Sequence, residues 1–247
     1  TWALPIVRKA WQRKKHIIAI SDAVRCWLVN DCSISLTKIS LVHYGIDPDP
    51  FETIRKDMKQ TKRDKPLIIS VGRLEPRKGH ERAIHIMEEV VKSVPNVKMI
   101  IIGHDPWGYG STLQDLITSS GLKAQIKLAG FQSNVAEYMK SANLFLFTSY
   151  AEGFGLVSIE AMAASLPVVA SDIPATREII VDGETGFLIN ADEPKSSSKR
   201  VIELLLNDKK SRKMGERGHA RVTQAFTIEK MVDKTIAVYE DVLGISK

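Results

Sequence analysis

The sequence lacks most of what would place it in a membrane, a disulfide scaffold or a metalloprotein. No run approaches 18 uncharged apolar residues, so no segment reads as a membrane-spanning helix. Two cysteines, Cys26 and Cys32, are too few for a disulfide framework and read as free thiols of a reducing, cytoplasmic compartment. The six histidines show no His-Glu-x-x-His spacing and there is no Cys-x-x-Cys, so no metal and no cofactor is expected. Acid is missing from the first fifteen residues, which hold Arg8, Lys9, Arg13, Lys14 and Lys15; this segment carries most of the net charge of +6, and the remainder is close to neutral. A nucleic-acid surface wants a basic face interleaved with aromatics, so no nucleic-acid partner is expected from a terminal segment holding only Trp2 and Trp11. That segment has two readings: a solvated helix that has lost a packing partner, or a helix lying on the inner face of a membrane. An initiating Met is absent too, and a chain that opens on Thr1 reads as a piece of a longer protein.

What is present is alternation. Short Ile- and Val-rich runs at His16–Ser21, Ile39–His43, Pro66–Arg73, Val97–Gly103, Gln125–Ala129, Leu144–Thr148, Pro167–Ala170 and Gly186–Ile189 read as strands. Several are apolar almost throughout, as strands covered on both faces must be. Helical periods lie between them; Ala83, Ile86, Met87, Val90 and Val94 keep to one face. This predicts right-handed βαβ units in an α/β, Rossmann-like, doubly wound parallel sheet. The turn Asp47-Pro-Asp-Pro50 and the polar stretch after it predict a break. Residues 1–48 then form a βαβ remnant, 49–65 a linker, 66–225 the main domain and 226–247 a C-terminal helix, with three consecutive helices over 193–243.

Two loops carry chemistry. In Val71-Gly-Arg-Leu-Glu-Pro-Arg-Lys-Gly79, Gly72 allows close backbone approach, Arg73 offers a planar fork for phosphate and Lys78 a compact positive charge. In Glu152-Gly-Phe-Gly-Leu-Val-Ser-Ile-Glu160, two glycines open a helix whose apolar face is expected to include Leu156, Ile159 and Met162. The start of that helix presents unpaired N–H groups and a partial positive charge to an anion such as a diphosphate. Carboxylates beside an anion site would repel the ligand unless they serve its hydroxyls, which gives Glu152 and Glu160 a reason to be there. Gly108-Tyr-Gly110 lacks the third glycine of a dinucleotide fingerprint and follows no strand, and no Gly-x4-Gly-Lys-Ser/Thr loop occurs.

Together these residues resemble the retaining GT-B glycosyltransferases of the family 4, or group 1, type. The resemblance rests on Glu152-x7-Glu160, Gly72-Arg73 through Lys78-Gly79, Ile102-Gly103, Leu128-Ala-Gly130, Glu160-Ala-Met-Ala with Leu166-Pro-Val-Val-Ala-Ser171, and Glu178 with Asp182-Gly-Glu-Thr-Gly-Phe187. It spans about residues 16–240. It implies transfer of a hexose from a UDP-, GDP- or ADP-linked donor to an unknown acceptor (glycan, lipid-linked or small molecule), with retention and without a metal. It implies that Arg73 and Lys78 grip the diphosphate, that the Gly72 loop and the amides of Gly153, Phe154, Gly155 and Leu156 contact the donor, and that Glu160 binds the ribose. It further implies that Glu152 orients the sugar and that the base lies near Phe131 and Gln132. It also implies that a first, acceptor-binding domain is missing, so that the apolar face of the last helix (Met231, Ile236, Val238, Tyr239, Val242) is exposed or covered by a neighbour. The sequence departs from the family at Tyr44, often Asn, at Ser165, usually Gly, and at Pro174-Ala-Thr-Arg177, commonly a Gly-Gly stretch. A non-catalytic nucleotide-sugar-binding or sensing domain and a GT-B epimerase stand as the alternatives.

Overall fold

The computed structural model describes residues 4–51 and 65–245, so most of the expected linker lies outside the described residues. Its centre is a six-stranded sheet of β3 (Leu67–Val71), β4 (Lys98–Ile102), β5 (Ile126–Leu128), β6 (Leu144–Phe147), β7 (Val168–Ser171) and β8 (Gly186–Ile189). Every pairing is parallel, in the order β5-β4-β3-β6-β7-β8. This is the doubly wound α/β fold expected from the alternation. All residues of β6 and β7 are buried, which accounts for their unbroken apolar sequence. Most strands are shorter than the apolar runs suggest, because residues that end those runs have already turned, as Gly72 and Arg73 do in beginning a loop; β7 is shifted by one residue and ends at Ser171, and β8 has the expected bounds.

Helices cover both faces. On one, α3 (His80–Ser93), α4 (Tyr109–Ser119) and α8 (Pro194–Leu206) bury Ile84, Met87, Leu113 and Val201 over Ile68, Met99 and Leu146. On the other, α5 (Val135–Ser141), α6 (Leu156–Ala163), α7 (Pro174–Ile179) and α9 (Asp208–Ala225) bury Met139, Ile159, Ile179 and Val222 over Ile69, Phe145 and Val168. The strand order reverses between β3 and β6. The carboxyl ends of those two strands therefore flank the crevice where ligands collect in open α/β sheets.

A second, two-stranded parallel sheet pairs β1 (Ile17–Ala19) with β2 (Ile39–Leu41) through α2 (Asp22–Asn30), around Ile17, Ala19, Leu28, Cys32, Ile34 and Ile39. It follows α1 (Leu4–Gln12), the basic helix. Cys26 is exposed, Cys32 is buried, and both are free. After β2 the chain crosses the junction between α9 and α10 (Ile228–Leu243), where Ile46 pairs with Thr227. On α10, Ile236 and Tyr239 are exposed and Met231, Val238 and Val242 are half-buried. Among the described residues no helix is long and apolar enough to cross a membrane.

Candidate functional site

The two sequence loops leave the carboxyl ends of β3 and β6, on either side of the strand-order reversal. After β3 the chain turns at Gly72, and a 3-10 turn at Pro76–Lys78 leads into α3. Gly79, at φ +63°, joins the two; a β-carbon there would lie 2.2 Å from the Thr148 carbonyl oxygen. The loop is thus pressed against the end of β6, and only glycine allows it. The aliphatic stem of Lys78 packs over Gly72, where a β-carbon would stand 3.4 Å from it.

Lys78 and Glu152 come together: Nζ donates to Oε1 at 2.6 Å, with both side chains largely buried. The sequence reading had placed one on the phosphate and the other on the sugar; the structure makes them partners across the two loops. Arg73 is half-exposed, 3.3 Å from Glu75 Oε1, and its guanidinium lies 5.7 Å from the ring centroid of Trp107. Glu75 is buried and accepts from Arg77 as well, at 3.2 Å. One carboxylate therefore holds two guanidinium groups at the rim.

His80 supports this loop from beneath. It is buried, and Nε2 donates to the Gly72 and Arg73 carbonyls at 3.2 and 3.1 Å. Burial pushes its pKa down, so the ring is neutral with its proton on Nε2. Neither Glu75 nor His80 stood out in the sequence, since one lay in a charged loop and the other between that loop and the helical period that starts at Ala83.

At the second loop, Gly155 (φ +102°) precedes α6, and the first N–H groups of the helix have no partner within it. Phe154 is buried against His43, Tyr44 and Phe226, so its backbone, not its ring, faces the crevice. Leu156 differs from expectation: it is 40% exposed, while Ile159 and Met162 are fully buried. As the first residue of the helix it stays at the surface instead of entering the core. The side chain of Glu160, one turn on, makes no ion pair or hydrogen bond with the described residues, and burial raises its pKa above the ordinary carboxylate range. It is an acceptor without a donor.

The third wall is the end of β5. Gly130, at φ +66°, precedes Phe131, 70% exposed, and Gln132, whose Nε2 donates to the Ala129 carbonyl at 2.8 Å. Backbone hydrogen bonds zip this wall to the others: Gly103 N–H to the Gly130 carbonyl at 2.9 Å and Leu74 N–H to the His104 carbonyl at 2.8 Å. A β-carbon on Gly103 would lie 1.8 Å from the Gly72 carbonyl oxygen. The loops after β3, β4, β5 and β6 therefore form one rim carrying cations, free amides, carboxylates and exposed aromatics. Among the described residues no three His, Cys, Asp or Glu side chains are grouped to hold a metal. A rim of this composition suits a ligand with a multiply charged anion at its centre and hydroxyls beside it.

Comparison with known proteins finds relatives in sequence and in structure. The sequence model described as glycosyl transferases group 1 matches residues 52–221. A phosphatidyl-myo-inositol mannosyltransferase of Mycobacterium tuberculosis is 30% identical over 247 residues, covering 97% of this chain and 63% of that protein. An N-acetyl-alpha-D-glucosaminyl L-malate synthase of Bacillus anthracis is 28% identical over 199 residues, 78% of this chain and 51% of that one. Among solved structures, Anabaena Alr3699/HepE in complex with UDP and glucose superposes with a TM-score of 0.87 at 23% identity, over 96% of this chain and 66% of that one. The chain thus spans about half to two thirds of the length of the relatives it matches.

Proposed function

Because the chain belongs to the group 1 glycosyl transferase family, we propose that it is the donor-binding part of a retaining hexosyltransferase and that the rim between β3 and β6 takes a nucleoside-diphosphate sugar. The observation that carries this reading is the meeting of Lys78, Glu152 and the free N–H groups of α6 at the reversal of strand order. A Rossmann-like sheet of this kind was the fold that the family resemblance implied.

In this reading the diphosphate lies against the α6 amides, Arg73 and Lys78. Lys78 shifts its charge from Glu152 to the phosphate, and Glu152 is freed to accept from sugar hydroxyls. As the bond to the anomeric carbon breaks, negative charge builds on the leaving diphosphate, beside the two cations and the helix end. Glu160 accepts from the ribose, and Phe131 and Gln132 flank the base. No divalent metal is needed for charge neutralisation, and the acceptor is bound outside this chain.

Titration calorimetry with UDP, GDP and ADP tests this. At least one should bind, and binding should persist in EDTA. Arg73→Ala and Lys78→Ala should each weaken it about tenfold to a hundredfold, as expected for a lost charge-assisted hydrogen bond. No heat with any of the three overturns the assignment.

A further inference from the structure

The donor loop is held from outside the six-stranded unit, and one side chain organises the hold. Glu178, near the end of α7, reaches across to the start of α2. Its Oε2 accepts from Asp22 N–H at 2.7 Å and its Oε1 from Ala23 N–H at 2.8 Å. Oε2 also accepts from His43 Nε2 at 3.0 Å. The partial positive charge of α2 is thus spent on a carboxylate of this chain and is closed to a ligand anion.

From the groups that Glu178 holds, two lines run to the donor loop. Ser21 caps α2, accepting from Val24 N–H at 3.0 Å, and its hydroxyl donates to the Gly153 carbonyl at 2.5 Å. Gly153 also faces the small unit directly, since a β-carbon there would stand 3.4 Å from Ile20. His43, in turn, stacks on Phe154 with centroids 5.7 Å apart and planes inclined by 27°. Gly153 and Phe154 precede Gly155, the cap of α6. The ring that helps set the course of this loop is therefore fastened to a group bound by the Glu178 carboxylate, and the carbonyl to Ser21, the residue next to the two N–H groups that the same carboxylate binds.

Glu178 is itself fixed. Arg221 donates to the Glu178 carbonyl at 2.8 Å and to the Ile179 carbonyl at 2.6 Å. Its guanidinium stands 5.6 Å from the Phe226 ring centroid, and Phe226 meets both Phe154 and His43 edge-on at 5.7 Å. The circuit closes on itself: main chain of Glu178, Arg221, Phe226, Phe154, His43, side chain of Glu178.

We propose that Glu178 is a positioning residue for donor binding, which, through the first turn of α2 and through His43, keeps Gly153 and Phe154 in place so that the amides at the start of α6 stay aimed into the crevice. The inference rests on the donor-site reading above. Among the described residues Glu178 is hydrogen-bonded through its side chain to Asp22, Ala23 and His43 and not to the loops after β3, β4, β5 or β6, so its effect is on the affinity of a site those loops form. A purely structural carboxylate would change stability and leave affinity alone.

The test compares wild type, Glu178→Ala, Glu178→Gln and Ser21→Ala in the 247-residue chain. The probe is whichever of UDP, GDP or ADP the wild type binds. Titration calorimetry gives the affinity, and amide hydrogen exchange follows the amides of residues 153–157. Glu178→Ala should weaken binding about tenfold and speed exchange at those amides, while β3, β4 and β6 stay protected. Glu178→Gln keeps one acceptor and should fall between wild type and Ala; it also carries the test if the Ala variant fails to fold. Ser21→Ala, which cuts the link to Gly153 and leaves the carboxylate, should weaken binding as well. Arg177→Ala is the control, because Arg177 sits beside Glu178 on α7 and pairs with Asp172 on the exposed surface; its affinity should equal wild type. No binding by the wild type overturns the donor-site reading and this proposal with it. Binding that stays within twofold of wild type in the Glu178 variants, whatever their melting temperatures, overturns this proposal alone.

Discussion

His80 shows how a single residue ties loop geometry to pH. Its ring is buried, burial lowers its pKa, and its Nε2 holds the Gly72 and Arg73 carbonyls. Protonation adds a charge that the site does not solvate, whereas the unfolded chain takes up the same proton freely below about pH 6.5. The unfolded state then binds more protons, so stability is full above the unfolded pKa and is lost as pH falls. The slope from this one group approaches about 1.4 kcal/mol per pH unit, until the folded pKa is crossed. In His80→Gln, which keeps an N–H donor for the carbonyls, that part of the slope should vanish. Urea unfolding of both proteins between pH 5 and pH 8 measures the difference; parallel curves would contradict it. In the sequence His80 is only one of six histidines without metal spacing. Its role depends on two carbonyls that the turn at Gly72 folds back over it, and no local pattern reports where a carbonyl points. Arg73, Lys78, Glu152 and Glu160 were legible because the loops that bear them combine glycine with charge at the ends of apolar strands. The pairing of Lys78 with Glu152, 74 positions apart, was not.

Among the elements, α9 comes very close to the turn after α6. Ser165 closes this turn at φ +59°, where the family resemblance leads one to expect glycine. Its carbonyl oxygen points at α9, and a β-carbon on Gly215 would lie 1.9 Å from it. One turn along the same helix, a β-carbon on Gly218 would meet Met162 and the Thr185 carbonyl oxygen at 3.4 Å, an ordinary contact. The same substitution should therefore have opposite effects three residues apart. Gly215→Ala must push α9 off the turn and should cost about 3 kcal/mol, as overpacking with a backbone shift does. Gly218→Ala removes a flexible residue from a helix interior and should be neutral or stabilising by up to about 1 kcal/mol. Thermal unfolding separates the two, since about 1 kcal/mol moves the midpoint of a chain this size by roughly 2–4 °C. Equal losses would show that α9 does not pack as described. The helix was readable from its length and polarity; the two glycines were not, because a sequence records that a residue is small and not what stands 2 Å away. Leu156 was misread for a related reason: a helical period assigns a residue to a face, but the first residue of a helix is placed by the turn before it, here Gly155.

At the scale of the molecule, the two-stranded unit and the six-stranded unit stand in different positions with respect to stability. The larger has two buried clusters, one on each face of its sheet. The smaller has a cluster of Ile17, Ala19, Leu28, Cys32, Ile34 and Ile39, too little apolar surface to offset the entropy of ordering its chain. Its order therefore depends on docking: on Glu178 at α2, on Ser21 at Gly153, and on the return of the chain past the start of α10. That return is the narrowest point. Ile46 N–H donates to the Phe226 carbonyl at 2.9 Å, Ile228 N–H donates to the Ile46 carbonyl at 3.0 Å, and a β-carbon on Gly45 would lie 2.1 Å from the Thr227 carbonyl oxygen. Gly45→Ala should break this crossing without touching either core. Amide exchange should then quicken across β1, α2 and β2, by the factor that corresponds to the lost docking energy, while β3, β4, β6 and β7 keep their protection. The loosening should also reach the amides of Gly153–Gly155, which the small unit holds. Exchange that slows or quickens equally in both sheets would mean that the two units unfold as one and that the crossing does not divide them.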